Sequence, residues 1–337
     1  MFNKQLYNTP YHQVGLAQYS FLVTGGAGFI GSNFVEYLLR YNAGHVRVLD
    51  NLSNGYYENI QDFIGLPNFE FLEGDIRDLE TCKKAVEGVN FISHQAALGS
   101  VPRSIADPIT SNEVNISGFL NILVAAKDSP TLKQMVYAAS SSTYGDSPIL
   151  PKVEGKEGNP LSPYAVTKLV NELYADVFSK TYGLHSIGLR YFNVFGPKQS
   201  PTNAYAAVIP KFVSSALSHT PPTIFGDGET SRDFTFIENV VQANINALLS
   251  YPEINTHEVV NIAYGKRTSL NRLWNLIVNH LNCESLMPSY STEREGDVKH
   301  SLAEILKAQK LINYYPLFDV KSGLKITIEY LKTQNYV

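Results

Sequence analysis

Tyr164 and Lys168 stand four positions apart, a spacing that could produce a general base. Ser162 and Pro163 precede them, and serine is a favoured helix N-cap whereas proline fits the first helical position. The two side chains would then lie on one face of a helix, one turn apart. An ammonium beside a phenol stabilises the phenolate, and the helix N-terminus adds positive potential. We therefore expect the pKa of Tyr164 to fall below its usual value of about 10, so that it could deprotonate an alcohol.

The helix that would carry this pair is predicted from residue 164 to about residue 180, with Gly183 as its stop. Its apolar stripe consists of Leu169, Leu173, Val177 and Phe178. The competing interpretation is a surface helix in which tyrosine and lysine meet by chance, because the chain has 21 tyrosines. The elements around the pair must decide between the two.

A glycine-rich turn, Gly25-Gly-Ala-Gly28-Phe-Ile-Gly31, lies between a predicted strand at 20–24 and an amphipathic stretch. Glycines in this context permit a tight turn and let backbone approach a pyrophosphate at the helix N-terminus. A second predicted strand at 45–49 ends in Asp50, whose carboxylate can bond both ribose hydroxyls and would repel a 2′-phosphate. NAD is therefore predicted over NADP, although Asp50 alone could be a simple turn residue. The expected contacts here are Gly25, Gly28, Phe29, Ile30, Gly31, Asp50 and Asn51.

Strands and helices alternate through the first 190 residues or so. Further strands are predicted at 68–72, 90–94, 134–139 and 186–190, helices at 81–87 and 107–126, and a loop at 146–161. This alternation predicts an α/β fold with a doubly wound parallel (Rossmann) sheet. Ligands bind at the carboxyl ends of such strands. The candidates at those ends are Asp75, Ile76, Gln95, Ala96 and Ala97 for the cofactor, and Ser140, Ser141 and Ser142 for the chemistry.

The pattern changes after residue 196, where a stretch rich in proline, threonine and serine begins. A helix at 236–250 and a strand at 258–262 return to the sheet, and two helical patterns occupy 266–337. We predict an NAD-binding domain of 1–196 plus 235–263. A smaller, discontinuous C-terminal lobe of 197–234 plus 264–337 would bind the substrate. Residues 1–18 are predicted to be an irregular or helical arm with no assigned role.

Charge and cysteine usage narrow the class of protein. The net charge is −4 without a basic tract, which argues against a nucleic-acid partner. The chain has two cysteines, Cys82 and Cys283, which suggest neither a disulfide framework nor a metal site and fit a cytoplasmic location. The first 18 residues lack the apolar segment of a signal peptide, and no apolar run is long enough to span a membrane.

Taken together, the motifs resemble the extended short-chain dehydrogenase/reductase family, and within it the NAD-dependent UDP-sugar 4-epimerases. The stretches 94–104, which includes Ser100, and 138–146 are most similar to bacterial UDP-N-acetylglucosamine 4-epimerases of polysaccharide pathways. The resemblance extends over nearly the whole chain from about residue 19. The matching positions are Gly25 to Gly31, Asp50, Asp75, Ser140 to Ser142, Tyr164 with Lys168, 189–193, 231–234 and 294–297.

The resemblance implies a mechanism in which NAD stays bound. Tyr164 would deprotonate the sugar 4-hydroxyl while C4 passes a hydride to the nicotinamide, and hydride would return to the other face of the 4-keto sugar. Lys168 would hold the nicotinamide ribose. A serine would relay the proton; the family position falls on Ser140, with Ser141 and Ser142 left open. Asn115 matches the family's helix asparagine, and its alternative is a core amide bonded to backbone.

The UDP-sugar site is carried over in the same way. Ser301, four residues after Asp297, matches a position where a tyrosine crowds the sugar 2-position in glucose/galactose-restricted epimerases, so a serine implies room for an N-acetyl group. The matching uronic acid, UDP-N-acetylglucosaminuronic acid, is the alternative substrate. Arg232 and Arg294 could instead form surface ion pairs, and Arg267 is a weaker candidate. The positions implied for diphosphate, uracil or ribose are Asn193, Ala207, Val208, Lys211, Phe225, Arg232, Arg267, Arg294 and Asp297.

Other activities on this fold are less compatible with the residues. A 4,6-dehydratase needs an acid–base pair after the first serine, and here Ser141 and Ser142 stand there; nucleotide-sugar decarboxylases meet the same objection. A non-catalytic NAD-binding regulator would typically lose Tyr164 or Lys168, and a net oxidoreductase would exchange NAD with solution. The family also implies a homodimer in which the helices at 107–126 and 163–181 pair with their copies.

Overall fold

Seven parallel strands form the central sheet of the computed structural model, which describes residue 3 and residues 5–201, 207–251, 253–293 and 299–334. Their order in space is β11-β6-β5-β4-β1-β2-β3. This topology confirms the predicted doubly wound α/β fold. The strands of the chain are β1 Ser20–Thr24, β2 His45–Asp50, β3 Phe69–Glu73, β4 Phe91–His94, β5 Gln134–Ser140, β6 Ser186–Tyr191, β7 Val194–Phe195, β8 Thr223–Phe225, β9 Ser231–Asp233, β10 Thr235–Phe236, β11 His257–Ile262, β12 Arg267–Ser269 and β13 Ser289–Ser291.

Helices cover both faces of this sheet, so successive residues of a strand enter different apolar clusters. Phe21 and Val23 of β1 belong to one buried cluster and Leu22 to another. A strand covered on both faces must be apolar at every position, which explains the continuous apolar runs of the sequence. The helices are α1 Phe29–Arg40, α2 Leu79–Val86, α3 Val101–Ala106, α4 Pro108–Asn112, α5 Phe119–Lys127, α6 Pro163–Tyr182, α7 Val208–Leu217, α8 Ile237–Leu249, α9 Leu270–Leu281, α10 Leu306–Ile312 and α11 Val320–Thr333.

The predicted single helix at 107–126 is wrong in detail. Helix α4 ends at Asn112, a π-helical segment runs over Glu113–Gly118, and α5 follows. Helix α3 before it was not expected, and the described C-terminal part holds three helices, α9, α10 and α11, in place of two. These short or interrupted helices depend on tertiary contacts, because isolated helices of such length are marginal.

Helix α6 begins and ends as predicted. The Ser162 hydroxyl accepts a hydrogen bond from the Ala165 N–H at 3.2 Å, Pro163 occupies the first turn, and Gly183 ends the helix with φ +67°. Its apolar stripe divides, however: Phe178 is buried, whereas Leu173 is 59% and Val177 is 53% exposed. The exposed part of the stripe is therefore not in the core of one chain.

Short strands connect the remaining segments beside the sheet. β8 pairs with β13 in parallel, β9 pairs with β12 in antiparallel fashion, and β7 pairs with β10. The division into an NAD-binding domain and a discontinuous lobe stays a prediction. The described part of residues 1–18 is irregular, with Leu6, Tyr7 and Leu16 buried against the body. Among the described helices, none is both long enough and apolar enough to cross a membrane.

Candidate active site

A cavity of about 410 Å³ opens at the carboxyl ends of β1, β2, β3 and β4. Ser100 and Ala207, predicted for the substrate, also line it. The geometry thus gathers the predicted cofactor residues of the glycine turn and three further strand ends around one space. These wall residues are Gly25, Gly28, Phe29, Ile30, Gly31, Asp50, Asn51, Asp75, Ile76, Gln95, Ala96 and Ala97.

The glycine turn has room for backbone only. Gly25 has φ +68°, and a Cβ on it would lie 2.6 Å from the Ala96 nitrogen. A Cβ on Gly31 would lie 2.2 Å from the Gly25 oxygen. Gly28 is the N-cap of α1 and has no side chain to occupy the first N–H groups, so these groups and the helix dipole face the cavity. A dinucleotide pyrophosphate fits this cradle.

Asp50 is fixed by the backbone around it. Its Oδ2 accepts from the Ala27 N–H and its Oδ1 from the Leu52 N–H, both at 2.9 Å. Burial raises the pKa of Asp50, and these hydrogen bonds oppose that rise. Beyond it, Asn51 donates to Asp75 at 2.8 Å, and Arg77 holds the pKa of Asp75 at about 2. Two carboxylates at this wall suit ribose hydroxyls and disfavour a 2′-phosphate.

Lys168 is not paired with the phenol of Tyr164 in the way the spacing suggested. Its Nζ donates to the Ala138 carbonyl at 2.8 Å and lies 5.9 Å from the centroid of the Tyr164 ring. Burial raises the pKa of Tyr164, and only its hydrogen bond with Ser140 lowers it. The expected fall in the pKa of Tyr164 is therefore wrong for the side chains alone. Burial also lowers the pKa of Lys168 to about 8, with Glu172 opposing the change.

The three serines Ser140, Ser141 and Ser142 differ in how they are placed relative to Tyr164. Ser140, at the end of β5, is the residue whose hydrogen bonding lowers the pKa of Tyr164. Ser142 donates through its hydroxyl to the Ser140 Oγ at 2.9 Å and through its N–H at 3.2 Å. Ser141 begins the 3₁₀ turn Ser141–Tyr144 that follows. The geometry points first to Ser140, with Ser142 next in line.

Asn115 is a buried amide that bonds backbone. Its Oδ1 accepts from the Leu98 N–H at 2.8 Å, and its Nδ2 donates to the Leu98 carbonyl and to Thr167 Oγ1, both at 3.1 Å. Leu98 lines the cavity, whereas Asn115 does not. These bonds are those of the core-amide alternative, and a contact of Asn115 with NAD, which the resemblance implies, stays a prediction. Asn115 lies in the π-helical segment, where such bulges frequently mark functional sites.

The other predicted substrate residues are spread over β7, β8, β9, β12 and α7. Arg232 donates to the Ser231 carbonyl at 3.1 Å. The backbone of Arg267 lies opposite that of Asp233 in the β9–β12 ladder. Ser301 donates its N–H to the Ser231 carbonyl at 3.1 Å. Arg294 and Asp297 lie outside the described residues. Asn193 has φ +37° before β7, Val208 and Lys211 lie in the first turn of α7, and Phe225 ends β8.

Asp233 joins three segments around Ser301, a role that the sequence did not reveal. Its buried carboxylate accepts from the backbone N–H groups of Tyr264 at 3.1 Å, Gly265 at 3.1 Å and Ala303 at 3.2 Å. The loop before α6 also reaches this segment, since the Lys152 N–H donates to Leu302 at 2.7 Å. The position of Ser301 is thus held from two sides.

Some wall residues were also missed because they come from loops without a motif. Lys198 follows the Gly196-Pro197 turn, and its cation forms a 3.0 Å ion pair with Glu36 of α1. A positive residue directly after a Gly-Pro turn at a strand end could have drawn attention to it. The missed wall residues of these loops are Ser53, Asn54, Gly55, Tyr56, Lys198, Gln199 and Ser200.

Comparison with known proteins gives a consistent result. The model of the family described as the NAD dependent epimerase/dehydratase family matches residues 21–263. The chain is 36% identical over 315 residues to a putative UDP-glucose 4-epimerase of Methanocaldococcus jannaschii, covering 93% of this chain and 99% of the relative.

Two solved structures are similar over nearly their whole length. One is a UDP-N-acetylglucosamine 4-epimerase from Methanobrevibacter ruminantium in complex with UDP-N-acetylmuramic acid, with a TM-score of 0.87, 38% identity and coverage of 94% of this chain and 99% of that one. The other is a UDP-glucuronic acid 4-epimerase from Bacillus cereus in complex with UDP-glucuronic acid and NAD, with a TM-score of 0.85, 30% identity and coverage of 93% and 99%.

Proposed function

The chain belongs to the NAD-dependent epimerase/dehydratase family, and on that basis we propose that it interconverts UDP-N-acetylglucosamine and UDP-N-acetylgalactosamine by 4-epimerisation. NAD is the cofactor, and NAD-dependent 4-epimerisation of a UDP-sugar is the activity that its relatives support. The observation that carries the proposal is that Ser140 ends β5 and Tyr164 lies in the first turn of α6, where Lys168 Nζ lies 5.9 Å from the centroid of the Tyr164 ring and bonds the Ala138 carbonyl of β5.

The chain's own residues supply binding and proton transfer. Bound NAD supplies the acceptor and donor of the C4 hydride. Ser140 bonds the sugar 4-oxygen and passes its proton to Tyr164, which returns a proton when the hydroxyl is restored on the other face. Lys168, whose Nζ bonds the Ala138 carbonyl and lies 5.9 Å from the centroid of the Tyr164 ring, would hold the nicotinamide ribose beside this tyrosine. The glycine turn and Asp50 would hold the dinucleotide in place while the 4-keto sugar rotates to present its other face.

The N-acetylated substrate is supported by Ser301. Its small side chain stands where glucose-restricted epimerases have a tyrosine, so the 2-position of the sugar has space. The UDP-N-acetylglucosamine 4-epimerase among the similar structures agrees with this choice. The second candidate is UDP-N-acetylglucosaminuronic acid, which the similarity to a UDP-glucuronic acid 4-epimerase favours.

The rival activities find less support. Ser141 and Ser142 carry no acid for the C5 and C6 chemistry of a dehydratase or a decarboxylase. A non-catalytic regulator would not need Tyr164 and Lys168 together, with the Lys168 Nζ 5.9 Å from the centroid of the Tyr164 ring. A net oxidoreductase would need NAD in the assay, whereas an epimerase returns each hydride to its substrate.

Three features of the cellular setting belong to the same proposal. We place the product in a polysaccharide pathway, and the protein in the cytoplasm, where the buried and unpaired Cys82 and Cys283 would stay reduced. A homodimer is supported by α6, which exposes Val166, Leu173 and Val177 along one side.

An NMR assay of the purified protein with UDP-N-acetylglucosamine and no added cofactor tests the proposal. The expected result is the appearance of the anomeric signal of UDP-N-acetylgalactosamine. Turnover of the uronic acid alone would keep the mechanism and change the substrate. Turnover of neither compound, nor of UDP-glucose, would contradict the epimerase assignment, and a requirement for added NAD would favour the oxidoreductase.

A further inference from the structure

The N-terminal arm, residue 3 and residues 5–18, precedes the region matched by the family model, which begins at residue 21. It nevertheless packs like a core element. Leu6, Tyr7 and Leu16 are almost fully buried. The Tyr11 ring stacks on Tyr37 of α1 with centroids 5.6 Å apart, and the Tyr7 ring meets Tyr37 edge-on at the same distance. The arm therefore covers the helix whose N-terminus faces the dinucleotide cradle.

Charged side chains fasten the arm to this surface. The Tyr7 N–H and the Tyr11 hydroxyl both donate to Glu238 of α8, at 2.9 and 2.5 Å. Arg40, at the end of α1, donates to the Leu6 carbonyl at 2.6 Å. Buried charged groups that bond backbone resist displacement, because each would be left without its partner if the arm lifted. The arm is thus a fixed part of the fold.

Two chains of contacts lead from the arm to the cofactor cavity. In the first, the Tyr7 hydroxyl donates to Asn33 Oδ1 at 2.9 Å, and Asn33 Nδ2 donates to the Phe29 carbonyl at 2.9 Å and the Pro197 carbonyl at 3.0 Å. Asn33 is fully buried, so water does not compete for these hydrogen bonds. The arm therefore sets the amide that ties the first turn of α1 to the segment after β7.

In the second chain of contacts, the Asn3 N–H donates to Glu36 Oε1 at 2.5 Å, and Glu36 Oε2 pairs with Lys198 Nζ at 3.0 Å. Lys198 and Phe29 both line the cavity. The two chains of contacts end at Phe29, in the helix whose N-terminus faces the cavity, and at the consecutive residues Pro197 and Lys198 after β7.

We propose that the N-terminal arm is a clamp that retains bound NAD, acting through Tyr7 on Asn33 and through Asn3 on the Glu36–Lys198 pair. Tyr7 and Asn33 are positioning residues, because neither lines the cavity. Retention matters for an epimerase, since NAD that leaves as NADH in mid-cycle would release a 4-keto sugar. A role of the arm in retaining NAD depends only on NAD being the cofactor. It does not depend on which UDP-sugar is the substrate.

The test measures NAD retention on the holoenzyme. Wild type, Tyr7→Phe and a form lacking residues 2–18 are dialysed, and the NAD remaining on the protein is followed with time by absorbance after denaturation. We expect Tyr7→Phe to lose NAD about three- to tenfold faster and the truncated form to be purified with little NAD. Retention equal to wild type in Tyr7→Phe would overturn the proposal, even if the truncated form fails to fold.

A matched control separates retention from general stability. Tyr314 is another fully buried tyrosine, whose hydroxyl donates at 2.8 Å to the Ala263 carbonyl after β11 and not to the arm or to α1. Tyr314→Phe removes one comparable hydrogen bond and should leave NAD loss at the wild-type rate for an equal fall in Tm. If Tyr314→Phe releases NAD as fast as Tyr7→Phe does, the arm serves only stability and the proposal is wrong.

A double variant tests the route through Asn33. If Tyr7 acts through this amide, Tyr7→Phe combined with Asn33→Ala should lose NAD no faster than Asn33→Ala alone. Additive rates would show that Tyr7 acts elsewhere and would contradict the relay.

Discussion

At the scale of single residues, Tyr164 is the group whose removal separates chemistry from binding. Tyr164→Phe keeps the ring and removes the hydroxyl whose pKa Ser140 lowers. Turnover should fall by about 10³-fold, within the range of lost general-base catalysis, while NAD stays bound. The NMR assay and the NAD content of the variant measure both. Tyr182→Phe, on the exposed end of the same helix, is the control; activity of Tyr164→Phe near that of the control would exclude Tyr164 as the base.

The serine contacts give a prediction that the sequence alone could not make. Ser140→Ala removes the hydroxyl between Tyr164 and Ser142 and should lower kcat about 100-fold. Ser141→Ala should stay within about threefold of wild type, because Ser141 only begins the following turn. Steady-state rates of the two variants decide the matter. A larger loss in Ser141→Ala would move the proton relay to that residue.

His94 predicts a pH dependence of stability. It is buried beside Thr24, and burial, then the Lys168 charge, lower its pKa to about 3. Below about pH 6.5 the histidine of the unfolded chain binds a proton that the folded His94 does not bind. The free energy of unfolding therefore decreases as the pH is lowered. The destabilisation caused by His94→Gln should therefore shrink by about 2 kcal/mol between pH 7 and pH 5. Denaturant titrations at both pH values measure it, and a constant difference would show that His94 is not held neutral.

At the scale of elements, the segment with Ser301 is the most informative for specificity. Asp233 and Lys152 hold it through Ala303 and Leu302, so a large side chain at Ser301 cannot be accommodated by moving the backbone. Ser301→Tyr should lower kcat/KM for UDP-N-acetylglucosamine at least tenfold and for UDP-glucose less than threefold. Ser301→Ala, which adds no volume, is the control. Equal losses for the two sugars would contradict the role of Ser301 in specificity.

Elements with local signals were predictable from the sequence, and elements that depend on distant contacts were not. The residues of helix α6 include its cap, its first-turn proline and its terminal glycine. The glycine turn likewise contains the glycines that its close backbone contacts require. The interruption between α4 and α5 is accompanied by bonds from Asn115 to Leu98, which no local pattern encodes. In the same way, Lys168 bonds Ala138 because β5 passes beneath α6, and this contact removed the expected effect on Tyr164.

At the scale of the whole molecule, the exposed side of α6 predicts an assembly. If two copies pair along α6, Leu173→Glu would bury a charge against its own copy and should give monomers. Light scattering after gel filtration measures the mass, and circular dichroism checks that the variant is folded. Met287→Glu, at a residue 70% exposed in the C-terminal part, should remain a dimer. A wild type that is monomeric, or a dimeric Leu173→Glu, would contradict pairing through this helix.

The placement of the cavity wall also fixes an order of events on the ribosome. Among the residues that the structure describes, those that line the cavity lie at or before Ala207. The strand that pairs with β8, Ser289–Ser291, and the segment of Ser301 emerge about 80 or more residues later. The nascent chain therefore contains the described wall residues of the cavity well before β13 and the segment of Ser301 have been synthesised. A premature stop after β11 would leave a polypeptide that contains every described wall residue of the cavity but lacks Ser301.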